Sequence, residues 1–164
     1  MQTVMRLLRG AKFAAAIAAA LTIAARANKT TDLTDAGVNS AAPGSQQDFV
    51  VNVGDRVFFE TDSVELTPTA QATLDKQARW LQQYNRYAFT IEGHADERGT
   101  REYNFALGAQ RAEATKNYLT ARGISPARMH TVSYGKERPV AVCNDISCWS
   151  QNRRAVTVLG GGQS

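Results

Sequence analysis

Short runs of strand-forming residues alternate with longer helical patterns between about residue 48 and residue 159 of this 164-residue chain. DFVVNV and RVFFE predict strands, because β-branched and aromatic residues dominate both runs. YAFTIEG places Tyr87, Phe89 and Ile91 on one face, as a half-buried strand does. HTVSYG and AVTVL are the remaining predicted strands.

The sequence predicts two main helices. The first begins at Thr67-Pro68, an N-cap followed by a proline at the first helical position. Its apolar face consists of Ala70, Leu74, Ala78 and Leu81. The second runs from about Arg101 to Arg122 and ends at Gly123, a common C-terminal cap. This order predicts an α/β sandwich, with a mixed sheet of about four strands and both helices on one face.

The N-terminal residues 1–27 have a different composition and predict an export signal. Four basic residues and no acid occur there, namely Arg6, Arg9, Lys12 and Arg26. The apolar stretch from Phe13 to Ala25 is short for a membrane span, and small residues follow it. Residues 28–47, rich in Thr, Ala, Asn, Ser, Gly and Pro, predict a flexible tether. The compact domain is expected at 48–159, with a short tail at 160–164.

Net charge argues against a nucleic-acid partner. The chain has 19 basic and 15 acidic residues, and four of the basic ones lie in residues 1–27. The remaining 15 basic residues balance the 15 acids, whereas a nucleic-acid-binding domain usually keeps a basic surplus.

The two cysteines, Cys143 and Cys148, lie close together in VCNDISCW. In an oxidising compartment they are expected to form a disulfide, and two unpaired buried thiols are the alternative. The C-x₄-C spacing has no second Cys or His pair to complete a tetrahedral metal site.

The polar stretch TIEGHADERGTREYNFALGAQRAEA contains the strongest candidate for a ligand site. Asp96 lies in the loop after a predicted strand, where α/β sheets often bind ligands. Asn104, Leu107 and Arg111 share one face of the following helix, and Arg111 is expected to point back toward that loop. Asp96 and Arg111 can pair with each other, or they can hold the ammonium and carboxylate of a zwitterion. Spacing alone leaves both interpretations open.

Two enzymatic or metal-dependent interpretations compete with ligand binding at this stretch. His94, Asp96 and Glu97 could offer metal ligands, but adjacent acids diverge on an extended backbone. Glu92 and Asp96 form a carboxylate pair of the kind used in glycoside cleavage. No G-x-S-x-G elbow and no evident His partner for a cysteine accompany them.

The stretch GHADERGTREYNFALGAQRAEATKNYL resembles the central motif of the OmpA-like peptidoglycan-binding domain family. VFFETDS, VSYGKERP and SQNRRAV match further family motifs in the same order, so the resemblance covers roughly Asp48 to Leu159. It implies a non-catalytic domain without a cofactor that binds the meso-diaminopimelate of the peptidoglycan stem peptide non-covalently.

The resemblance also implies which residues contact the ligand. The family's ligand Asp and Arg correspond to Asp96 and Arg111, and Thr61 stands where members often have Phe. The other implied ligand-binding residues are Asn104, Leu107, Phe59, Asp62, Arg153 and Arg154.

Lipoprotein members of this family bind TolB, act with other Tol proteins in the periplasm during cell division and associate with the outer membrane. The resemblance implies the same partners here, and a module that mainly binds TolB is the alternative function, with Trp149 among the candidate contacts. Those members carry a lipidated cysteine, but Arg26 occupies that position in LTIAAR and cannot form a thioether. Cleavage after Ala27 would give a soluble periplasmic protein, and retention of the signal would give an inner-membrane anchor.

Overall fold

A computed structural model describes residues 41–160. Its elements in chain order are α1 (Gln46–Asp48), a π-helical turn (Phe49–Val53), β1 (Arg56–Phe58), α2 (Pro68–Gln83), β2 (Phe89–His94), α3 (Arg101–Ala121), a 3₁₀ turn (Pro126–Arg128), β3 (Met129–Gly135), α4 (Ile146–Asn152) and β4 (Arg154–Leu159). Within these residues, no helix combines the length and apolarity that a bilayer crossing requires. The predicted export signal, with Arg26, and most of the predicted tether lie outside the described residues.

The four strands form one mixed sheet in the order β1-β4-β2-β3. β2 and β3 are parallel, and β4 runs antiparallel to both of its neighbours. Helices α2 and α3 pack on the same face of this sheet through one apolar core. The predicted α/β sandwich with two main helices on one face is therefore confirmed.

The core lies between the two helices and the central strands. Leu74 and Leu81 of α2 and Leu119 of α3 are fully buried, as is Ile91 of β2. Complete burial of such a side chain contributes about 1.5–3 kcal/mol to stability. These residues therefore fix the layered arrangement.

A close backbone approach sets α3 against the end of β2. A Cβ atom on Gly93 would lie 1.7 Å from the carbonyl oxygen of Gly108, so the strand and helix can meet only because both residues are glycine. This contact holds the C-terminal end of β2, and the loop that follows it, against the first turns of α3.

The predicted strand DFVVNV is wrong, because Phe49–Val53 forms a helical turn. Phe49 is fully buried against Trp80, with ring centroids 4.9 Å apart, whereas Val50 and Val51 are exposed. The segment thus buries a single aromatic anchor instead of alternate residues. Gly54, at φ 92°, ends the turn.

Packing against the domain begins before Asp48. The carbonyl oxygen of Gly44 accepts hydrogen bonds from Tyr87 Oη at 2.8 Å and from Arg86 Nη2 at 2.6 Å. Trp80 Nε1 donates to Asp48 Oδ2 at 2.8 Å. The last residues of the predicted tether therefore dock on the C-terminal end of α2 and the segment that follows it.

Cys143 and Cys148 form a disulfide, as predicted, with Cα atoms 5.7 Å apart. Cys148 lies in α4, a short helix that was not predicted from the sequence. Asp145 caps this helix by accepting a hydrogen bond from Ser147 N at 2.7 Å. The disulfide thus joins α4 to the loop that precedes it.

Candidate ligand-binding cleft

A cleft of about 310 Å³ opens where β2 ends and α3 begins. Its walls come from the β1–α2 loop, the β2–α3 loop and the first three turns of α3. The lining residues are Thr61, Asp62, Asp96, Arg98, Gly99, Tyr103, Asn104, Leu107 and Arg111.

Arg111 forms the base of the cleft and is completely buried. Its guanidinium donates to three backbone carbonyls, those of Ser63 at 2.9 Å, His94 at 2.9 Å and Glu60 at 3.1 Å. Burial lowers its pKa to about 10, and the charge of Arg153 acts in the same direction. At neutral pH the cleft therefore holds a fixed, desolvated positive charge.

Asp96 lies in the same cleft and is 7% exposed. Its carboxylate accepts from Arg98 Nη2 at 2.7 Å, Arg98 Nε at 3.1 Å, Arg98 N at 3.1 Å and Arg153 Nη1 at 3.3 Å. Burial acts to raise the pKa of Asp96, but these hydrogen bonds and the charge of Arg98 lower it overall. Asp96 and Arg111 make no salt bridge with each other. The interpretation in which the two merely neutralise one another does not describe this site.

Three further residues from the sequence analysis line the cleft beside Asp96 and Arg111. Asn104 is buried and donates from Nδ2 to the carbonyl oxygen of Arg98 at 2.7 Å, which fixes the β2–α3 loop. Leu107 supplies an apolar wall. Asp62 has a φ of 54°, a left-handed conformation that no other described non-glycine residue adopts.

The other three residues expected at the site do not line this cleft. Phe59 lies beneath the guanidinium of Arg111, whose central carbon is 5.2 Å from the ring centroid. Arg153 lies behind Asp96 and donates from Nε to the carbonyl oxygen of Phe59 at 2.9 Å. Arg154 is on the opposite face of the sheet, where Nη2 donates to the carbonyl oxygen of Arg138 at 3.1 Å.

Arg98, Gly99 and Tyr103 were not identified from the sequence, although they line the cleft. Arg98 also stacks on Trp149, with its guanidinium carbon 4.1 Å from the ring centroid. An arginine two residues after a loop aspartate is well placed to fold back onto it. This Asp-x-Arg spacing is the feature of the sequence from which the contact between Arg98 and Asp96 could have been predicted.

The side chains considered for a metal site point in different directions. His94 lies on the sheet face opposite the helices, where it is buried beside Tyr134 and its Nε2 is 3.6 Å from a carboxylate oxygen of Glu92. Glu97 accepts a hydrogen bond from Trp149. No group of three metal-ligating side chains occurs between residues 41 and 160. Glu92 lies beside His94 on that face and does not line the cleft with Asp96.

The stability of the fold is expected to fall as the pH drops from about 6.5 toward about 4, because of His94. Burial lowers the pKa of His94 to about 4, and the charges of Arg154, Arg138 and Arg56 add to this effect. The unfolded chain takes up a proton in this range while the folded protein does not. The free energy of unfolding should therefore decrease by roughly 3 kcal/mol over that window.

Urea unfolding of the wild-type protein and of His94→Gln at pH 7, 5.5 and 4.5 measures this contribution. The variant should lose less stability between pH 7 and 4.5 than the wild type. Equal losses in the two proteins would mean that His94 does not couple folding to pH.

The chain resembles known proteins in both sequence and fold. Residues 58–153 match the OmpA family. A peptidoglycan-associated lipoprotein from Rhizobium meliloti (strain 1021) is 70% identical over 128 residues, covering 78% of this chain and 73% of that protein. The peptidoglycan-associated lipoprotein of Agrobacterium fabrum is 62% identical over 152 residues, covering 89% and 86%.

Solved structures show the same architecture. The crystal structure of the peptidoglycan-associated lipoprotein from Burkholderia pseudomallei is 43% identical, with a TM-score of 0.63, over 65% of this chain and 90% of that one. The C-terminal domain of Helicobacter pylori MotB shares the fold at 21% identity, with a TM-score of 0.61, over 65% of this chain and 84% of that one. The chain belongs to the OmpA family and is similar over most of its length to proteins named peptidoglycan-associated lipoprotein.

Proposed function

We propose that this domain binds peptidoglycan non-covalently through the charged end of the meso-diaminopimelate side chain in the stem peptide. The observation that carries this proposal is the buried environment of the Arg111 guanidinium. A completely buried guanidinium has only backbone carbonyls as hydrogen-bond partners and faces the same cleft as a carboxylate. A desolvated charge of this kind is costly unless an opposite charge compensates for it, and an incoming carboxylate would do so.

The ligand carboxylate is expected to bind Arg111. A guanidinium has five N–H donors in a planar fork, and the three backbone contacts of Arg111 leave donors free for a ligand. The N-terminal end of α3, which begins at Arg101, adds partial positive charge at the cleft. Both features favour an anion at this position.

The ligand ammonium is expected to bind Asp96. Its two oxygens already accept four hydrogen bonds, so the ammonium must share the carboxylate with Arg98 or replace part of that contact. The Arg98 side chain is 40% exposed and the Arg153 side chain 5% exposed, so Arg98 is the partner that can make room for the ammonium while its guanidinium stays stacked on Trp149. Asp62 lines the same cleft and adds a second carboxylate to attract the cation.

The two ends of the domain suit a link between the envelope and the cell wall. The first packed residues, at Gly44, contact Tyr87 near the N-terminal end of β2. The cleft lies beyond the C-terminal end of β2, and a six-residue strand spans about 20 Å. A chain anchored through its N-terminal segment would therefore present the cleft away from the anchor. The similarity to proteins named peptidoglycan-associated lipoprotein (Pal) supports the proposal that the protein acts in the periplasm, at the outer membrane, as part of the Tol–Pal system.

TolB is the proposed protein partner, and the same end of the domain offers a surface for it. Tyr103, at the rim of the cleft, and Phe105 on α3 are 50% and 57% exposed. Aromatic side chains are enriched at protein interfaces. A partner seated on Tyr103 would cover the cleft, so TolB and peptidoglycan would compete for it.

The proposed role is binding without catalysis, and purified sacculi test it directly. The domain should co-sediment with diaminopimelate-containing sacculi and release no soluble muropeptides from them. Release of muropeptides would identify a hydrolase instead.

Asp96→Asn is expected to weaken sacculus binding by about ten- to a hundredfold. The substitution keeps the shape of the side chain but removes the charge, and a hydrogen bond to a charged group contributes about 1.5–3 kcal/mol. Asp75→Asn is the matched control, because Asp75 forms a salt bridge with Arg122 away from the cleft. Asp96→Asn that stays folded and co-sediments as Asp75→Asn does would rule out a role for the Asp96 charge.

A further inference from the structure

The cleft holds two opposite charges that do not neutralise each other. Arg111 cannot move easily, because three backbone carbonyls fix it. Asp96 lies in a loop, and its carboxylate is kept in place by the side chains of Arg98 and Arg153. The contacts that fix the positions of Arg98 and Arg153 therefore also fix the position of the Asp96 carboxylate in the cleft.

Helix α4 holds Arg98 through Trp149. The guanidinium of Arg98 stacks on the Trp149 ring at 4.1 Å while its nitrogens bind Asp96. The indole N–H of Trp149 donates to the carboxylate of Glu97, the residue before Arg98. Trp149 thus contacts two consecutive residues of the loop that carries Asp96.

The same helix positions the second arginine. Arg153 is the C-cap residue of α4, and its backbone N–H donates to the carbonyl oxygen of Trp149 at 3.1 Å. Its side chain is almost completely buried, and it bonds to the carbonyl oxygen of Phe59 as well as to Asp96. Both residues that restrain Asp96 therefore depend on where α4 lies.

Helix α4 has only seven residues, too few to be stable by itself. Two attachments hold it. Near its N-terminus Cys148 is joined to Cys143, and at its C-terminus the Asn152 side chain makes three hydrogen bonds to the backbone of Val140 and Ala141. The helix and the preceding loop form one stapled unit.

We propose that the disulfide-stapled helix α4 is a positioning device for the ligand cleft. Through Trp149 and Arg153 it holds the Asp96 carboxylate away from the Arg111 guanidinium, so that a zwitterion can bind between the two charges. This inference rests on the proposed function, because it assigns to the staple a part in binding the same ligand. Without the staple or the Trp149 ring, Arg98 loses its stacked position and Asp96 is free to turn toward Arg111. The two charges then satisfy each other, and ligand affinity falls.

Four variants test the proposal. Trp149→Leu keeps apolar bulk but has no ring face, and Trp149→Phe restores the ring without the indole N–H. The double variant Cys143→Ser/Cys148→Ser removes the staple. Phe58→Ala is the control, because it removes an exposed aromatic residue of β1 that does not line the cleft. Thermal unfolding establishes that each variant is folded.

Titration calorimetry with a diaminopimelate tripeptide gives the affinities. Trp149→Leu and the double serine variant should bind about two- to fivefold more weakly, the range expected for loss of an exposed cation–π contact. Trp149→Phe and Phe58→Ala should stay close to the wild type. The NMR signal of the Arg98 Nε–H gives a readout without ligand. The ring current of the aromatic residue at position 149 should shift this signal in the wild type and in Trp149→Phe. The shift should vanish in Trp149→Leu and in the double serine variant.

The outcomes separate this inference from the proposed function. If the wild type binds the tripeptide and Trp149→Leu and the double serine variant bind equally well, the positioning role is overturned. If the wild type does not bind the tripeptide, the proposed function fails, and the Arg98 signal alone decides on positioning. An unchanged Arg98 signal in the double serine variant would overturn the role of the staple.

Discussion

An Arg111→Lys variant is expected to remain folded and to bind a diaminopimelate peptide about ten- to a hundredfold more weakly than the wild type. Lysine keeps a positive charge but presents it as a point on a flexible stem. It cannot reach three separate carbonyls and at the same time offer a planar pair of donors to a ligand carboxylate. The result would show that the fork of Arg111, and not only its charge, holds the ligand.

The same substitution is expected to destabilise the fold by about 1–3 kcal/mol, because at least one buried carbonyl loses its donor. The carbonyls of Glu60 and Ser63 belong to the β1–α2 loop, and that of His94 ends β2, so Arg111 joins two walls of the cleft. Arg122→Lys is the matched control, since Arg122 forms its salt bridge with Asp75 outside the cleft. Calorimetry and urea unfolding of both variants measure the two effects. Wild-type affinity in a folded Arg111→Lys protein would mean that a planar donor is not needed.

Gly93→Ala is expected to cost at least about 3 kcal/mol of unfolding free energy, at the upper end of overpacking effects. The new Cβ would lie 1.7 Å from the Gly108 carbonyl oxygen, a backbone atom that cannot move without shifting α3. A shift of α3 away from β2 also separates Asn104 and Arg111 from Asp96. Ligand affinity should therefore fall in any molecules that still fold.

Gly54→Ala provides the comparison for Gly93→Ala. Gly54 has a φ of 92°, but an added Cβ meets its nearest neighbour, Thr73 Cγ2, at 3.6 Å. Its ψ of 122° puts it outside the left-handed helical region, so this variant should lose about 1–3 kcal/mol from backbone strain alone. Urea unfolding that gave equal losses for the two variants would contradict the close approach of β2 and α3.

The periodic parts of the fold could be predicted from the sequence, and two aperiodic parts could not. Helix α2 and the sheet were predicted because apolar residues repeat with a helical or strand period, and the end of α3 was marked by Gly123. DFVVNV was assigned to a strand because its residues favour strands, but the burial of Phe49 against Trp80 determined a helical turn. Helix α4 has only seven residues, and a tertiary attachment, the disulfide, holds it in place.

The candidate site shows the same limit. Helical spacing was enough to bring Asn104, Leu107 and Arg111 to one face, and all three line the cleft. Spacing could not decide whether Asp96 pairs with Arg111, because that depends on Arg98 and Arg153. Neighbouring residues of an extended chain point to opposite faces, so Arg153 and Arg154 could not both approach the ligand. Only the hydrogen bond from Arg153 Nη1 to Asp96 Oδ2 shows which of the two faces the cleft.

The most direct test of the proposed function is titration calorimetry of the wild-type protein with two stem peptides that differ in one residue. One peptide carries meso-diaminopimelate, and the other carries lysine, which has the ammonium but lacks the second carboxylate. If Arg111 holds that carboxylate, the diaminopimelate peptide should bind about ten- to a hundredfold more tightly than the lysine peptide. Equal affinities for the two peptides would contradict the assignment of the cleft as a site for the zwitterion.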